Sequence, residues 1–465
     1  MFRVAIALIA ALLAVPLAAA EKTAAKKTAA HKTVAPTQIQ FWHAMSGARG
    51  AEIDALVARF NASQKKVRVV ATYKGPYDVV ERELFAAVRD KKAPHLVQIY
   101  ELGTADMIAA RDAVKPIWRL MVEAGTPLKH DAFVPPVAAY FSDSKGRLLA
   151  LPFNTSTPVL YYNKDAFRKA GLDPEHAPKT WYQMPQALRA VLDAGAKCAL
   201  TTTWPSWVLV ENMGAWHNQP FATEDNGMDG NDARLNFNTR LMVRWVSMLA
   251  SWYKAGYFSW SGRGNAAETR FASGECALLT ASSSSYAELR RAARFDFGVA
   301  QLPYYDDFPD APQNTLIGGA ALWAMGGKTR VEYRAMAKFI AYLAQPEVQA
   351  HWHQTTGYVP ITKAAYELTE KSGFYLSHPG HQVAVRQLLL RNPTRESKGI
   401  RLGHFLQIRA IIEDELEAVW ADRATPIDAL NAAVERGNTL LSQFDRATKP
   451  ANKKAAKGRK TSAAK

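Results

Sequence analysis

The sequence predicts an α/β protein of two units joined by a hinge. Three observations carry this. From Gln38 onward, apolar strand-like runs alternate with amphipathic helical stretches, and the alternation resumes after residue 180. Between the two alternating regions lies a polar run, Phe153-Asn154-Thr155-Ser156-Thr157, flanked by apolar segments on both sides. A second interruption, residues 314–325 (NTLIGGAALWAM), places a glycine pair inside an apolar strand, where backbones approach closely or bend.

In the first unit, residues 39–42 and 67–73 read as strands. Between them Ile53, Leu56, Val57 and Phe60 recur at i, i+3, i+4 and i+7, one buried helical face. Residues 78–89 and 104–111 read as helices around a third strand at 96–100. This order predicts a parallel sheet with helices on both faces. Ligands in such sheets bind beyond the carboxyl ends of the strands, so Trp42-His43, residues 73–77 and Tyr100-Glu101 should face a cleft.

The hinge stretch continues as a strand over 157–162 and then a short helix, with Asn163 as its cap and Gly171 as its left-handed stop. In the second unit, residues 181–194, 239–255 and 266–272 read as helices, and 197–201, 277–280 and 295–302 as strands. Its strand ends are 202–207, with Trp204 and Trp207, and 282–285, a run of four serines. Tryptophan faces stack on carbon–hydrogen surfaces while the indole N–H donates, which suits a polyol; the same residues equally suit a plain core. From 331 the chain should be helical, over 331–344, 346–354, 362–369, 405–420 and 426–444, the last capped by Thr425 with Pro426 in its first turn.

Composition narrows the function classes. The net charge of +16 sits largely in the tails: residues 21–37 hold four lysines against one glutamate, and 446–465 hold eight Lys or Arg and no acid. Such Lys/Ala segments lack hydrophobic periodicity and are expected to be disordered spacers. The body is therefore not a nucleic-acid binder. Arg3, the apolar run 4–13 and Ala18-Ala19-Ala20 form a secretory signal, and no later segment has the ~20 apolar residues of a membrane span. The two cysteines, Cys198 and Cys276, fit either one disulfide or two small buried side chains, and spacing leaves both open.

No metal, cofactor or nucleophile motif occurs: there is no H-E-x-x-H, G-x-S-x-G or C-x-x-C. His351 and His353, two apart, fall on different helical faces, and the serine run has no local base. The chain is expected to be a non-enzyme without metal or cofactor.

The phrases YYNKDAFRKAGLDP, FWHAMSG, RFNASQ, TYKGPY, YELGTA, NGMDG, APQNTLIGGAALW, WHQTTGYVPITKAAY and GIRLG…QIR resemble the periplasmic sn-glycerol-3-phosphate-binding proteins of ABC importers. The match runs from about residue 38 to 444. The resemblance implies a two-lobed, hinged periplasmic-binding-protein fold similar to maltose-binding protein, with the ligand in the interlobe cleft. The signal peptide at 1–20, the linker at 21–37 and the tail at 446–465, read from composition, lie outside it. The N-terminal lobe would be 38–153 with 318–357, and the C-terminal lobe 154–317 with 358–445. It further implies a monomer that delivers its small-molecule ligand to inner-membrane permease subunits with their cytoplasmic ATPase.

The ligand site implied by the resemblance comprises Tyr77, Glu101, Ser156, Ser282, Gly319, Tyr358 and Arg409, with Trp204 and Trp207 as aromatic walls. The first five fall where the strand ends and hinge crossings already point; Tyr358 and Arg409 come from the resemblance alone. Arg409 would grip phosphate with its guanidinium fork, Ser156, Ser282 and the Gly319 N–H would complete the cage, and Glu101 would accept from glycerol hydroxyls. On this view Arg409→Ala abolishes phosphate-ligand binding and leaves stability nearly unchanged; the bland alternative for Arg409 is an ion pair with Glu413 at i+4. Pro76 and Ser284 stand where the family often has Asn and Gly, and the residues between the two tryptophans and just before Arg409 differ as well. Glycerophosphodiesters such as glycerophosphocholine are therefore alternative ligands. A sugar- or maltodextrin-binding protein and a secreted hydrolase are the more distant alternatives.

Overall fold

The computed structural model describes residues 35–449. The expected signal peptide, the linker as far as residue 34 and the tail from residue 450 lie outside the described residues. The strands are β1 (Thr37–His43), β2 (Val67–Tyr73), β3 (Leu96–Tyr100), β4 (Val114–Lys115), β5 (Leu151–Ser156), β6 (Pro158–Asn163), β7 (Cys198–Thr202), β8 (Cys276–Ser282), β9 (Phe297–Ala300) and β10 (Gly318–Met325). They form two sheets. The first runs β2-β1-β3-β10-β4, with β5 also on β10, and the second runs β7-β8-β6-β9.

The three strands expected to be parallel are so, and the first sheet adds antiparallel neighbours to them. β2, β1 and β3 are parallel, but β10 lies antiparallel to β3, β4 and β5. The reason is topological: β10 re-enters this sheet from the second unit rather than through a right-handed β-α-β crossover.

The sequence patterns explain the burial. In β1 the alternate residues Ile39, Phe41 and His43 are buried, whereas β3 is buried throughout, with Gln98 its single polar residue. The helix Gly47–Ser63 buries Ile53, Leu56, Val57 and Phe60, the face its spacing predicts. β6 is covered on both sides: Val159 and Tyr161 join one core, Leu160 and Tyr162 the other. Asn163 caps the helix Lys164–Lys169 by accepting from the Ala166 N–H at 2.9 Å. The elements not anticipated include the helices Ile117–Glu123, Pro135–Tyr140, Tyr286–Ala292 and Pro379–Leu388 and the short turn of helix Phe374–Ser377. The final helix, Pro426–Thr448, continues past the expected end at residue 444.

A single residue, Thr157, separates β5 of the first sheet from β6 of the second. It is fully buried, and its hydroxyl bonds to the Thr315 hydroxyl (2.6 Å) and the Leu316 carbonyl (3.0 Å). Those partners lie on the return crossing into β10, so the two crossings are tied together. Gln387 reinforces the joint, donating to the Pro158 carbonyl at 2.6 Å and the Thr315 hydroxyl at 3.1 Å. Nearby, Val359 N–H donates to the Thr155 carbonyl at 2.8 Å, bringing a third segment to the hinge. The expected hinge is thus three strands of chain, hydrogen-bonded side by side.

β7 and β8 pair with Cys198 opposite Cys276, and the two cysteines form a disulfide, which settles the choice left open above.

A buried histidine gives the fold an acid limit. His217 accepts from the Tyr305 N–H at 2.9 Å through Nε2, so its proton lies on Nδ1, which donates to the Met213 carbonyl at 2.8 Å. Burial lowers its pKa to about 4, since a second proton would be desolvated and would break the Tyr305 bond. A group with a depressed folded-state pKa contributes stability above its unfolded value that is lost as pH falls. Between about pH 7 and about pH 5, His217 should cost roughly 2 kcal/mol of stability. Urea midpoints of the natural chain and of His217→Gln across this range check it: the variant should lose about 2 kcal/mol of the acid dependence, His353 and His381, also lowered by burial, keeping their share, and equal slopes would contradict the assignment.

Candidate functional site

A cavity of about 950 Å³ lies between elements of the two sheets, lined among others by Arg49, Tyr77, Tyr100, Trp204, Glu268, Arg409 and Glu413. At its base is a recess of about 50 Å³ that shares Arg49, Tyr77, Tyr100 and Trp204 with it and adds hydroxyl-rich residues. Of the nine residues singled out in the sequence, seven line the recess: Tyr77, Ser156, Trp204, Trp207, Ser282, Gly319 and Tyr358. Glu101 and Arg409 do not line it.

Each residue arrives by a separate element. Tyr77 opens the helix Tyr77–Arg89; its hydroxyl accepts from Asn154 Nδ2 at 3.0 Å, and its ring stacks on Tyr100 with centroids 4.5 Å apart and planes 7° from parallel. Burial, then the neighbouring Tyr358, raises the Tyr77 pKa, so the phenol stays a donor. Ser156 ends β5 at the hinge, and Ser282 ends β8, where its hydroxyl bonds to the Ser284 hydroxyl at 2.9 Å and accepts from the Ser284 N–H at 3.2 Å. Tyr358 follows the third crossing, its ring parallel to that of Trp352 at 6.0 Å. Trp204 sits at a positive φ of 44° and reaches both the recess and the larger cleft.

Trp207 packs its ring on Gly318, and its indole N–H is buried with no hydrogen-bond partner.

Glu101 and Arg409 are placed differently from the expectation. The Arg409 guanidinium donates to both Glu211 oxygens (2.6 and 2.7 Å), to the Tyr100 hydroxyl (2.8 Å) and to Glu101 Oε1 (3.1 Å). Glu101 also accepts the Gly319 N–H on Oε2 at 3.0 Å. Burial opposes the Arg409 charge, but Glu211, Tyr100 and Glu101 outweigh it and hold its pKa high. Burial pushes Glu101 up to about 8, with Arg409 working against the rise. The i+4 partner Glu413 pairs instead with Arg263 at 3.8 Å. Arg409 therefore clamps two buried carboxylates behind Tyr100, and the Gly319 N–H is engaged by Glu101.

Sequence reasoning missed Arg49 and Asn265 as lining residues, while Gly318 and Ser284 fall in stretches it singled out. Arg49 lies in the first turn of the helix after β1; the strand-end rule that selected Trp42-His43, carried one turn further, would have found it. No histidine lines either cavity among the described residues.

Residues 55–379 match the family described as bacterial extracellular solute-binding protein. The chain belongs to that family. Among individual relatives of this solute-binding protein, it is 48% identical over 416 residues, 89% of this chain and 94% of the other, to the sn-glycerol-3-phosphate-binding periplasmic protein UgpB of Yersinia pestis bv. Antiqua (strain Antiqua). It is 49% identical, over 89% of this chain and 95% of the other, to the protein of that name from Escherichia coli (strain K12). Among solved structures it is similar to UgpB from Mycobacterium tuberculosis in complex with glycerophosphocholine, with a TM-score of 0.74, 24% identity, and coverage of 88% of this chain and 99% of that one. It is also similar to the cyclic α-maltosyl-1,6-maltose binding protein from Arthrobacter globiformis, with a TM-score of 0.70 and 22% identity over 88% of this chain and 100% of that one. The fold is thus the two-lobed, maltose-binding-protein-like architecture expected from the sequence. Among the described residues no helix is long and apolar enough to cross a membrane.

Proposed function

We propose that this solute-binding protein captures sn-glycerol-3-phosphate in the periplasm and hands it to the membrane permease of an ABC importer, with no covalent chemistry. The observation that carries the reading is the recess itself. Hydroxyls from Ser156 and Ser282 and phenols from Tyr77 and Tyr358 surround a space walled by Trp204 and Trp207. Such a set offers many neutral donors to phosphate oxygens and flat faces to a glycerol backbone. Relatives 48% and 49% identical carry the name of a protein that binds this ligand. Hydroxyls on elements of both sheets can meet one phosphate, so ligand binding would favour hinge closure, the form a permease would receive.

A second ligand class is favoured by size. The cleft continues outward from the recess through about 950 Å³, past the Tyr77–Tyr100 stack and Glu413, leaving room for a head group on a glycerophosphodiester.

The indole fluorescence of Trp204 and Trp207 tests the reading, because both line the recess. Addition of sn-glycerol-3-phosphate to ligand-free protein should change the emission saturably and raise the thermal midpoint, while maltose does neither. A saturable response to maltose alone would refute the reading.

A further inference from the structure

Arg49 stands in the recess with no ion pair among the described residues, beside the Tyr358 phenol and with Glu268 as the carboxylate that acts on its charge. It lines the recess beside Ser282, Ser284 and Tyr358, as well as the outer cleft. The carboxylates around it are engaged elsewhere. Glu52 pairs with Arg59 at 2.8 Å and with His351 at 3.0 Å, Glu288 pairs with Arg291, and Glu268 accepts from the Ser285 hydroxyl at 2.6 Å. Among the described residues no carboxylate lies within ion-pair distance of Arg49. The contrast with Arg409 is complete, since that guanidinium is buried against two carboxylates and does not reach the recess.

We propose that Arg49 is a cation that holds the phosphate of the ligand, opposite the hydroxyls of Ser282 and Ser284. The assignment rests on the phosphate-ester reading given above. A guanidinium offers planar, paired donors that match two phosphate oxygens. Its position matters as much as its charge. Arg49 rides on the helix Gly47–Ser63, which follows β1 of the first sheet, whereas Ser282 and Ser284 stand at the end of β8 in the second. A phosphate between them therefore links the two lobes by a charge-assisted bond on one side and hydroxyls on the other. The ligand's charge, rather than its glycerol, then drives closure.

Calorimetric titration of the natural chain, Arg49→Gln and Arg49→Lys with sn-glycerol-3-phosphate, at low and high salt, tests this. A charge-assisted contact is worth ~1.5–3 kcal/mol, so Arg49→Gln should bind roughly 10- to 100-fold more weakly. Its affinity should also depend less on salt, and Arg49→Lys should recover part of the loss. Thermal midpoints of all three should agree, because Arg49 holds no ion pair in the fold. If the natural chain binds and Arg49→Gln binds within about twofold of it at both salt concentrations, the assignment of Arg49 is overturned while the phosphate-ester reading stands. Loss of affinity with a matching fall in thermal midpoint, not recovered by Arg49→Lys, would also overturn it, since that marks a structural role. If the natural chain gives no heat with sn-glycerol-3-phosphate, the reading and the assignment fall together.

Discussion

Arg409→Met is expected to lower the stability of the protein by about 3–5 kcal/mol, the usual cost of removing one partner from a buried ion pair. The structure explains why the loss should be large. Arg409 is 6% exposed and donates to both oxygens of Glu211 and to Glu101, which are each 2% exposed. Without the guanidinium, two buried carboxylates face each other, and only Ser206, donating to Glu211 at 3.0 Å, and the Gly319 N–H remain to serve them. The expectation from sequence, near-normal stability with lost binding, treated Arg409 as a free phosphate anchor, whereas its guanidinium is held by Glu211, Tyr100 and Glu101. Urea unfolding checks the size of the effect. Adding Glu211→Gln to Arg409→Met should restore part of the stability, as the second change removes one stranded charge. A single variant within about 1 kcal/mol of the natural chain would show that the triad contributes little.

Gly319→Ala should be nearly as costly and should abolish ligand binding. Gly319 has φ of 108°, and a Cβ there would lie inside the contact radius of the Asn154 carbonyl oxygen on β5. Relief requires β10 to leave β5 just where the chain crosses between the lobes. Three things at the recess would move with it: Ser156, paired opposite Gly318; Asn154, which holds the Tyr77 hydroxyl; and the N–H that serves Glu101. A displaced strand and a forced left-handed alanine together should cost roughly 3 kcal/mol or more. Denaturant unfolding together with a ligand titration checks this. Natural stability with natural affinity would contradict the account of the hinge.

Much of this architecture was legible in the sequence because local patterns encode it. Asn163 and Gly171 delimit a helix wherever they fall, and a polar run such as Phe153–Thr157 between apolar segments marks a crossing. The strand-end rule led to Tyr77, Glu101, Trp204, Trp207 and Ser282 without knowledge of the partners opposite them. What escaped was long-range. The direction of β10 depends on how the chain returns from the second sheet, and no local pattern reports that. Glu211, which engages Arg409, lies 198 residues before it in sequence, so the i+4 carboxylate at Glu413 looked like the natural partner. Arg49 escaped for a different reason. On a helix of modest amphipathicity a single arginine reads as solvent-facing, and only the absence of a paired carboxylate, visible once the fold is assembled, sets it apart.

The central claim is that a phosphate ester, gripped through its phosphate, is the solute this protein carries. Calorimetric titration of the ligand-free protein with sn-glycerol-3-phosphate and with glycerol tests it most directly, since the two compounds differ only in the phosphate. The account predicts saturable one-to-one binding of sn-glycerol-3-phosphate and no measurable heat with glycerol. Equal affinity for the two, or binding of glycerol alone, would contradict it.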